Sequence, residues 1–467
     1  MATFFIEQFG CRATRADGAA IERQLREQGS TPAADAFSAD VVVLNTCTVT
    51  ASADTQARDA IRKIHAANPA VRMVVTGCYA QRAPEELAAL PGVFFVVGNS
   101  HKPQIPRLLH SIASAPNLVG AELAPPVRPA QDNSSIFPAP VLSGDIFDLT
   151  DVLVAPVLGG EGNHTRPTLK IQDGCNSRCS FCVIPFVRGK SRSLPPQTVV
   201  AEIQRLAASG FREIVLSGIN LGTYGRDLAP RVEFLDLLRR VLDETSIERL
   251  RISSIEPLDV TQDLIEFFAS TERIAPHFHM PLQSASDRIL AAMHRWYRAE
   301  HYARRVEIIH DRLPHAAIGA DVITGFPGEA DADHDATTEF IESRPFTYLH
   351  VFSYSARPGT KAALLPNQLP GHIIKRRARE LRSLAERKSA TFRGSQLGRT
   401  LRALTLRRNA NDDPQSTPAL SENYLTVTLP LALPPNEFVD AIVTHATAKH
   451  LLAEPCESMT AATLGAS

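Results

Sequence analysis

Twice along this chain, short runs rich in Val, Ile and Phe alternate with stretches rich in Ala, Leu, Arg and Glu, and that alternation constrains the fold most. In the N-terminal part the pattern predicts strands over 3–8, 40–45, 72–76 and 93–97, with helices over 15–28, 51–66 and 84–90. Successive strand–helix units need crossover connections, and so a parallel sheet. From residue 168 the alternation resumes on a larger scale. Strands are expected at 169–172, 214–217, 250–253, 277–280, 317–323 and 348–352. The helices between them fall at 197–208, 232–242, 260–269, 285–293 with 300–312, and 331–342. Six such units fit a partial (β/α)6 barrel better than a complete eightfold one. A doubly wound open sheet is the other arrangement the alternation allows.

The remaining segments set the domain organisation. Between Ala113 and Pro167 lie eight prolines, which mark an irregular connector able to contribute short strands. A charged helix is expected over 372–392, followed by short strands at 400–406, 424–428 and 438–445, the pattern of a small β-barrel. The expected layout is an α/β domain over 1–112, a connector over 113–160, a partial barrel over 161–392 and a β domain over 393–460. With 467 residues, 44% of them hydrophobic and 21% charged, the chain can bury several cores, which excludes wholesale disorder. No run approaches the roughly 20 apolar residues of a membrane span, and the N-terminus lacks a secretion signal. No membrane association and a cytoplasmic location are therefore expected. The net charge of −1 excludes a uniformly basic nucleic-acid binder but not local basic patches.

Six of the seven cysteines form two trios, and Cys456 stands alone. Such usage in a long chain without a secretion signal points to metal sites rather than to disulfides. Cys11, Cys47 and Cys78 each follow a predicted strand by one to three residues. Parallel strands share one C-terminal edge, so topology would gather these thiols where open sheets bind ligands. The competing reading is three small buried hydrophobes. The second trio, Cys175, Cys179 and Cys182, has the spacing C-x3-C-x2-C on one loop. Three such thiolates can hold three corners of a cubane cluster and leave one iron open. A structural zinc site would bring four ligands as paired C-x2-C elements, and the second pair is missing.

With Phe181 just before its last cysteine, this motif resembles that of the radical S-adenosylmethionine (SAM) superfamily. The string GCNSRCSFCVIPFVRGKSRS, taken with Cys11, Cys47 and Cys78, is similar to the methylthiotransferases. LSGINLGTYGRDL, RISSIEP, HMPLQSASDRIL, GADVITGFPGE and FSYSARPGT match as well. The resemblance implies two [4Fe-4S] clusters, an N-terminal α/β domain, a radical SAM partial barrel and a C-terminal TRAM-like RNA-binding β-barrel. It implies that Cys175, Cys179 and Cys182 hold the cluster that cleaves SAM. The resulting 5′-deoxyadenosyl radical would take hydrogen from the substrate. Cys11, Cys47 and Cys78 would hold an auxiliary cluster carrying the group to be transferred. Thr14 stands where such proteins commonly have Asn, which puts one local hydrogen bond in question.

LSGINLGTYG and Phe9–Arg12 resemble the branch acting on N6-threonylcarbamoyladenosine in tRNA. This reading implies transfer of a methylthio group to C2 of that base beside the anticodon. It also implies partners: tRNA, a reducing electron donor and a sulfur donor. The alternatives are the isopentenyladenosine enzyme, the enzyme that modifies an aspartate of a ribosomal protein, or a noncatalytic RNA-binding iron–sulfur or zinc protein. From Lys375 to Arg408 twelve Lys or Arg face two Glu. Lys375, Arg376, Arg377 and Arg379 are accordingly expected to contact RNA phosphates, against the reading of a solvated helix face. Expected SAM contacts are Phe181, Gly218, Gln283, Ser284 and Gly325, all but Phe181 at C-terminal strand ends, with turn chemistry as the competing reading for the glycines. His277 and His279 read as strand-end hydrogen-bonding residues.

Overall fold

The computed structural model describes residues 3–114, 138–150, 152–153, 155–157, 165–409 and 412–456. The chain divides into two compact units. The first comprises Met1–Pro156, Gln172–Arg192 and Ser355–Ala363, and the second comprises Val157–Ile171, Ser193–Tyr354 and Leu364–Ser467.

The first unit is built on a parallel sheet of strands β1 (Thr3–Gln8), β2 (Thr31–Pro32), β3 (Val41–Thr46), β4 (Arg72–Gly77), β5 (Val93–Gly98) and β6 (Val141–Leu142), in the order β2-β1-β3-β4-β5-β6. Helices α1 (Arg12–Glu27), α2 (Ala51–Ala67) and α3 (Cys78–Arg82) follow β1, β3 and β4. The central strands β3 and β4 are buried on both faces, so they read as continuous apolar runs. Their side chains alternate between two cores. Val42, Leu44, Met73 and Val75 pack with Ala57, Ile61 and Ile64 of α2, while Val41, Val43 and Val74 pack with Ile21 and Leu25 of α1. Thr50 starts α2 by accepting a hydrogen bond from the Ala53 amide. β6 lies in the segment read from the sequence as connector, and pairs Val141 and Leu142 with Val96 and Val97. Residues 115–137 of that connector lie outside the described residues.

In the second unit, parallel strands Thr168–Lys170, Glu213–Ser217 and Arg249–Ile252 pair in sequence order, as do His277–His279, Ala317–Thr324 and Tyr348–Ser353. Parallel bridges from Leu250 to Ile274 and from Ser254 to His279 join the two sets. The strand order therefore never reverses. A doubly wound sheet needs a reversal, so the partial barrel stands and the open-sheet alternative falls. A closed five-stranded barrel follows, formed by Thr400–Thr405, Thr417–Ser421, Thr426–Leu429, Leu451–Pro455 and Phe438–Ala446 in that order around it. Thr417–Ser421 and Leu451–Pro455 are absent from the sequence reading. Pro418 hides the first of these, and the second is a strand through its pairing with two neighbours.

This small barrel sits against the N-terminal ends of the parallel strands. Arg249 donates to the Arg402 carbonyl at 2.8 Å, and Arg251 donates to the Ser421 and Glu422 carbonyls at 3.1 and 3.0 Å. Tyr424 stacks on His277 with ring centroids 4.3 Å apart. Beneath them Glu213 is fully buried between Arg251, Arg249 and Arg166. Burial alone would raise its pKa, but Arg251 and the other arginines pull it down to about 2. Among the described residues no helix is long and apolar enough to cross a membrane.

Candidate functional site

Both cysteine trios belong to the first compact unit. Cys11 caps the start of α1, Cys47 follows β3 directly, and Cys78 opens α3 directly after β4. Two glycines permit the approach of these loops. Gly10 has φ +96°, and a Cβ there would lie 2.4 Å from the Cys47 Cβ and 2.8 Å from its Sγ. Gly77 has φ +102°, and its Cβ would lie 2.3 Å from the Thr46 carbonyl oxygen. Cys47 and Cys78 are buried and Cys11 is exposed. Burial, together with the neighbouring Cys78 and Cys11 thiols, pushes the Cys47 thiol up to about 12. The Cys47 thiol therefore keeps its proton until a cation arrives, and a bound metal reverses that preference. Thr14, at the position that departs from the family's Asn, has its Oγ1 3.5 Å from Cys11 Sγ.

The second trio lies on the loop after Gln172–Asp173, in a chain reversal closed by Cys175 N–H to the Gly189 carbonyl at 3.1 Å and Cys182 N–H to the Cys179 carbonyl at 3.1 Å. Val183, Ile184 and Val187 of this loop pack against Cys78. Arg188 is the joint between the two cysteine regions. Its guanidinium is 2% exposed and donates to Asp173 at 2.9 Å and to Asp17 of α1 at 3.0 Å. Burial disfavours its charge, yet Asp173, Cys78, Asp17 and Cys11 hold it well above the usual guanidinium value. Lys102 joins from the other side, 2.8 Å from Asp17. Asn99 donates to the Val187 carbonyl at 2.7 Å and lies 3.7 Å from Cys78 Sγ. The segment Ser355–Ala363 ties in as well. Arg357 bonds Asp54 and, at 2.9 Å, Thr48 Oγ1 beside Cys47, while the Ala362 amide donates to the Ser180 carbonyl at 2.8 Å. Sequence reasoning assigned no role to Arg188 or Arg357, although both stand inside the quoted strings GCNSRCSFCVIPFVRGKSRS and FSYSARPGT.

Among the described residues, the only set of three potential ligands drawn within 4.8 Å of one another is His279, Asp321 and His350. The cysteine trios are thus wider than the roughly 3.8 Å sulfur spacing of a tetrahedral zinc site. All six thiols of the two trios are free, so each trio has three donors to offer an iron–sulfur cubane. His277 and His279 bond the Tyr348 hydroxyl at 2.7 and 2.9 Å, and His279 also bonds Asp321 at 2.9 Å, which agrees with their expected hydrogen-bonding role.

The other sequence-selected residues divide. Phe181 is half-buried on the cysteine loop, and Gly218, Gln283, Ser284 and Gly325 all lie just past C-terminal strand ends. Gln283 has φ +62° and a buried Oε1 with no hydrogen-bond partner, a group shaped to meet a donor. The Ser284 hydroxyl is instead engaged, 3.3 Å from Thr337 Oγ1 and accepting from the Ser286 amide at 3.2 Å. Of the four basic residues expected on RNA, Lys375, Arg376 and Arg379 are exposed. Arg377 corrects the expectation. It is 2% exposed and clamped to Glu329 at 2.6 Å and to Asp331 at 2.8 Å, so it fastens the helix and is closed to phosphate.

Residues 3–98 match the uncharacterized protein family UPF0004, and residues 169–341 match the radical SAM superfamily. The chain is 38% identical to the threonylcarbamoyladenosine tRNA methylthiotransferase MtaB of Aquifex aeolicus over 90% of its own length and 95% of that protein. It is 33% identical to the tRNA-2-methylthio-N(6)-dimethylallyladenosine synthase of Paenarthrobacter aurescens over 97% of its length and 85% of that protein. The chain belongs to the radical SAM methylthiotransferases. Its fold also resembles the radical SAM methyltransferase TsrM of Kitasatospora setae, with a TM-score of 0.53 at 16% identity over 78% of this chain and 77% of that one. As an enzyme of this family it uses [4Fe-4S] clusters and SAM, two clusters in the methylthiotransferases.

Proposed function

We propose that this methylthiotransferase acts on tRNA, placing a methylthio group on C2 of N6-threonylcarbamoyladenosine beside the anticodon. The observation that carries the reading is the pair of cysteine tripods in one compact unit, one built by sheet topology and the other by a local loop. Cys175, Cys179 and Cys182 hold the cluster that binds SAM, and Cys11, Cys47 and Cys78 hold the auxiliary cluster. Three thiolates leave one iron of each cubane open to a non-protein ligand. With SAM bound, that chemistry supplies a radical able to remove an inert ring hydrogen, which acid–base catalysis at neutral pH cannot do.

The protein's own part is to hold and insulate. Arg188, Asp17 and Lys102 fix the two cysteine regions in a dry, charge-balanced joint. The unpartnered Gln283 Oε1 is offered to a donor on SAM, and Gly218 and Gly325 stand like it just past C-terminal strand ends. Ser284 shapes the turn that presents Gln283. Lys375, Arg376 and Arg379 take phosphates, and the five-stranded barrel serves as the TRAM-like RNA grip. A reducing electron donor and a sulfur donor complete the cycle in the cytoplasm.

Relatives named for dimethylallyladenosine favour a second reading, the isopentenyl base. Anaerobically reconstituted enzyme given hairpins carrying either base, followed by nucleoside mass spectrometry, separates the two. Product on the threonylcarbamoyl hairpin alone is expected, and product on the isopentenyl hairpin alone refutes the assignment.

A further inference from the structure

Residues 293–298 turn between the helices Asp287–Ala292 and Ala299–Arg312. On this turn Trp296, the sole tryptophan of the chain, is 80% exposed. Leaving so large an apolar ring in water is unfavourable. This one is held tightly. Met293 and Tyr297 on either side are buried. The Tyr297 hydroxyl bonds the carbonyls of Pro281 and Leu282 at 2.7 and 2.8 Å, just beyond the strand His277–His279. Arg295 bonds Glu256, just beyond the adjacent strand Arg249–Ile252, and its guanidinium lies 5.0 Å from the Tyr297 ring centroid. The turn is therefore pinned to the C-terminal ends of two neighbouring barrel strands, the edge at which such barrels bind their ligands. His294 and Arg298, two residues before and after it in sequence, are also exposed.

A rigid, exposed aromatic face with an arginine two residues along the same turn is the chemistry of a base-stacking platform. We propose that Trp296 stacks on a nucleotide of the tRNA next to the base presented to the barrel edge, with Arg298 at the adjoining phosphate. The inference rests on the tRNA reading above. It also supplies what that reading lacks. The small β-barrel packs on the N-terminal ends of the strands, so an RNA grip there leaves the loop at the opposite edge without a contact of its own.

The test uses the full chain with its clusters and follows tryptophan emission during titration with anticodon hairpins carrying either N6-threonylcarbamoyladenosine or isopentenyladenosine. Since Trp296 is the sole tryptophan, emission reports this turn alone. Quenching that saturates with hairpin binding is expected. Trp296→Ala should weaken hairpin binding roughly tenfold or more, and Trp296→Phe should keep most of the affinity. Unchanged emission of the parent protein at saturating hairpin overturns the proposal without recourse to any variant, as does an alanine variant of full iron content that binds as tightly as the parent. An error in the target-base assignment shows separately, as product on the isopentenyl hairpin with the emission response intact.

Discussion

The two cysteine trios each present three thiols, by opposite means. Cys175, Cys179 and Cys182 come from one loop, so their approach is set by local turns. Cys11, Cys47 and Cys78 come from three crossovers of a parallel sheet and meet only when the sheet is complete. The first arrangement is half-exposed, while the second is mostly buried. A site open to solvent and partners suits a cofactor that must bind SAM and accept electrons. A buried site suits a group kept from water between transfers.

The largest effect should come from breaking each tripod in turn. Cys179→Ala should abolish reductive SAM cleavage, because two thiolates hold the radical cluster poorly. Cys47→Ala should leave SAM cleavage largely intact while methylthiolation stops. Methylthiolated product from the Cys47 variant would remove the auxiliary cluster from that site.

Next in size is the joint. Arg188→Met leaves the buried Asp17 and Asp173 short of a partner, at a cost of about 3–5 kcal/mol. Thermal melts should show that loss, and iron content should fall at both trios. Loss at one trio only would mean that Arg188 serves a single site.

The second unit provides the contrast, with a buried carboxylate, Glu213, held among Arg251, Arg249 and Arg166. The folded pKa of Glu213 is depressed from 4.5 to about 2, so its stabilisation is complete above pH 4.5 and is lost as pH falls through 2. That is worth about 3 kcal/mol. Glu213→Gln should lower the melting temperature at neutral pH and flatten the acid limb, with the iron content unchanged. An unaltered acid limb would assign acid unfolding to other carboxylates.

The smallest effect is expected from the exposed part of the basic helix. Neutralising Lys375, Arg376 and Arg379 together should lessen the dependence of log affinity for tRNA on log salt by roughly one unit per lost contact. An unchanged slope would return them to a solvated face.

Much of this was legible in the sequence because period and composition are local. Runs such as VVVLN and MVVTG admit little but a buried parallel strand, and the six parallel barrel strands fall within one or two residues of their expected ends. The positions of Cys11, Cys47 and Cys78 just past strands of the N-terminal sheet, and the C-x3-C-x2-C spacing on one loop, were legible for the same reason. What escaped was long-range. Nothing near Arg377 announces Glu329 and Asp331, so a buried clamp read as one more surface cation. Arg188 likewise meets Asp17 only through the fold. Val141–Leu142 and Leu451–Pro455 are strands by pairing with a neighbour rather than by their own pattern.

Iron and acid-labile sulfide counted on three proteins after anaerobic reconstitution test the central claim most directly. The parent chain should hold about eight irons, and the Cys47→Ala and Cys179→Ala variants about four each. Zinc in place of iron, or a parent chain holding only four irons that a single variant abolishes, would contradict the assignment of two clusters to two trios.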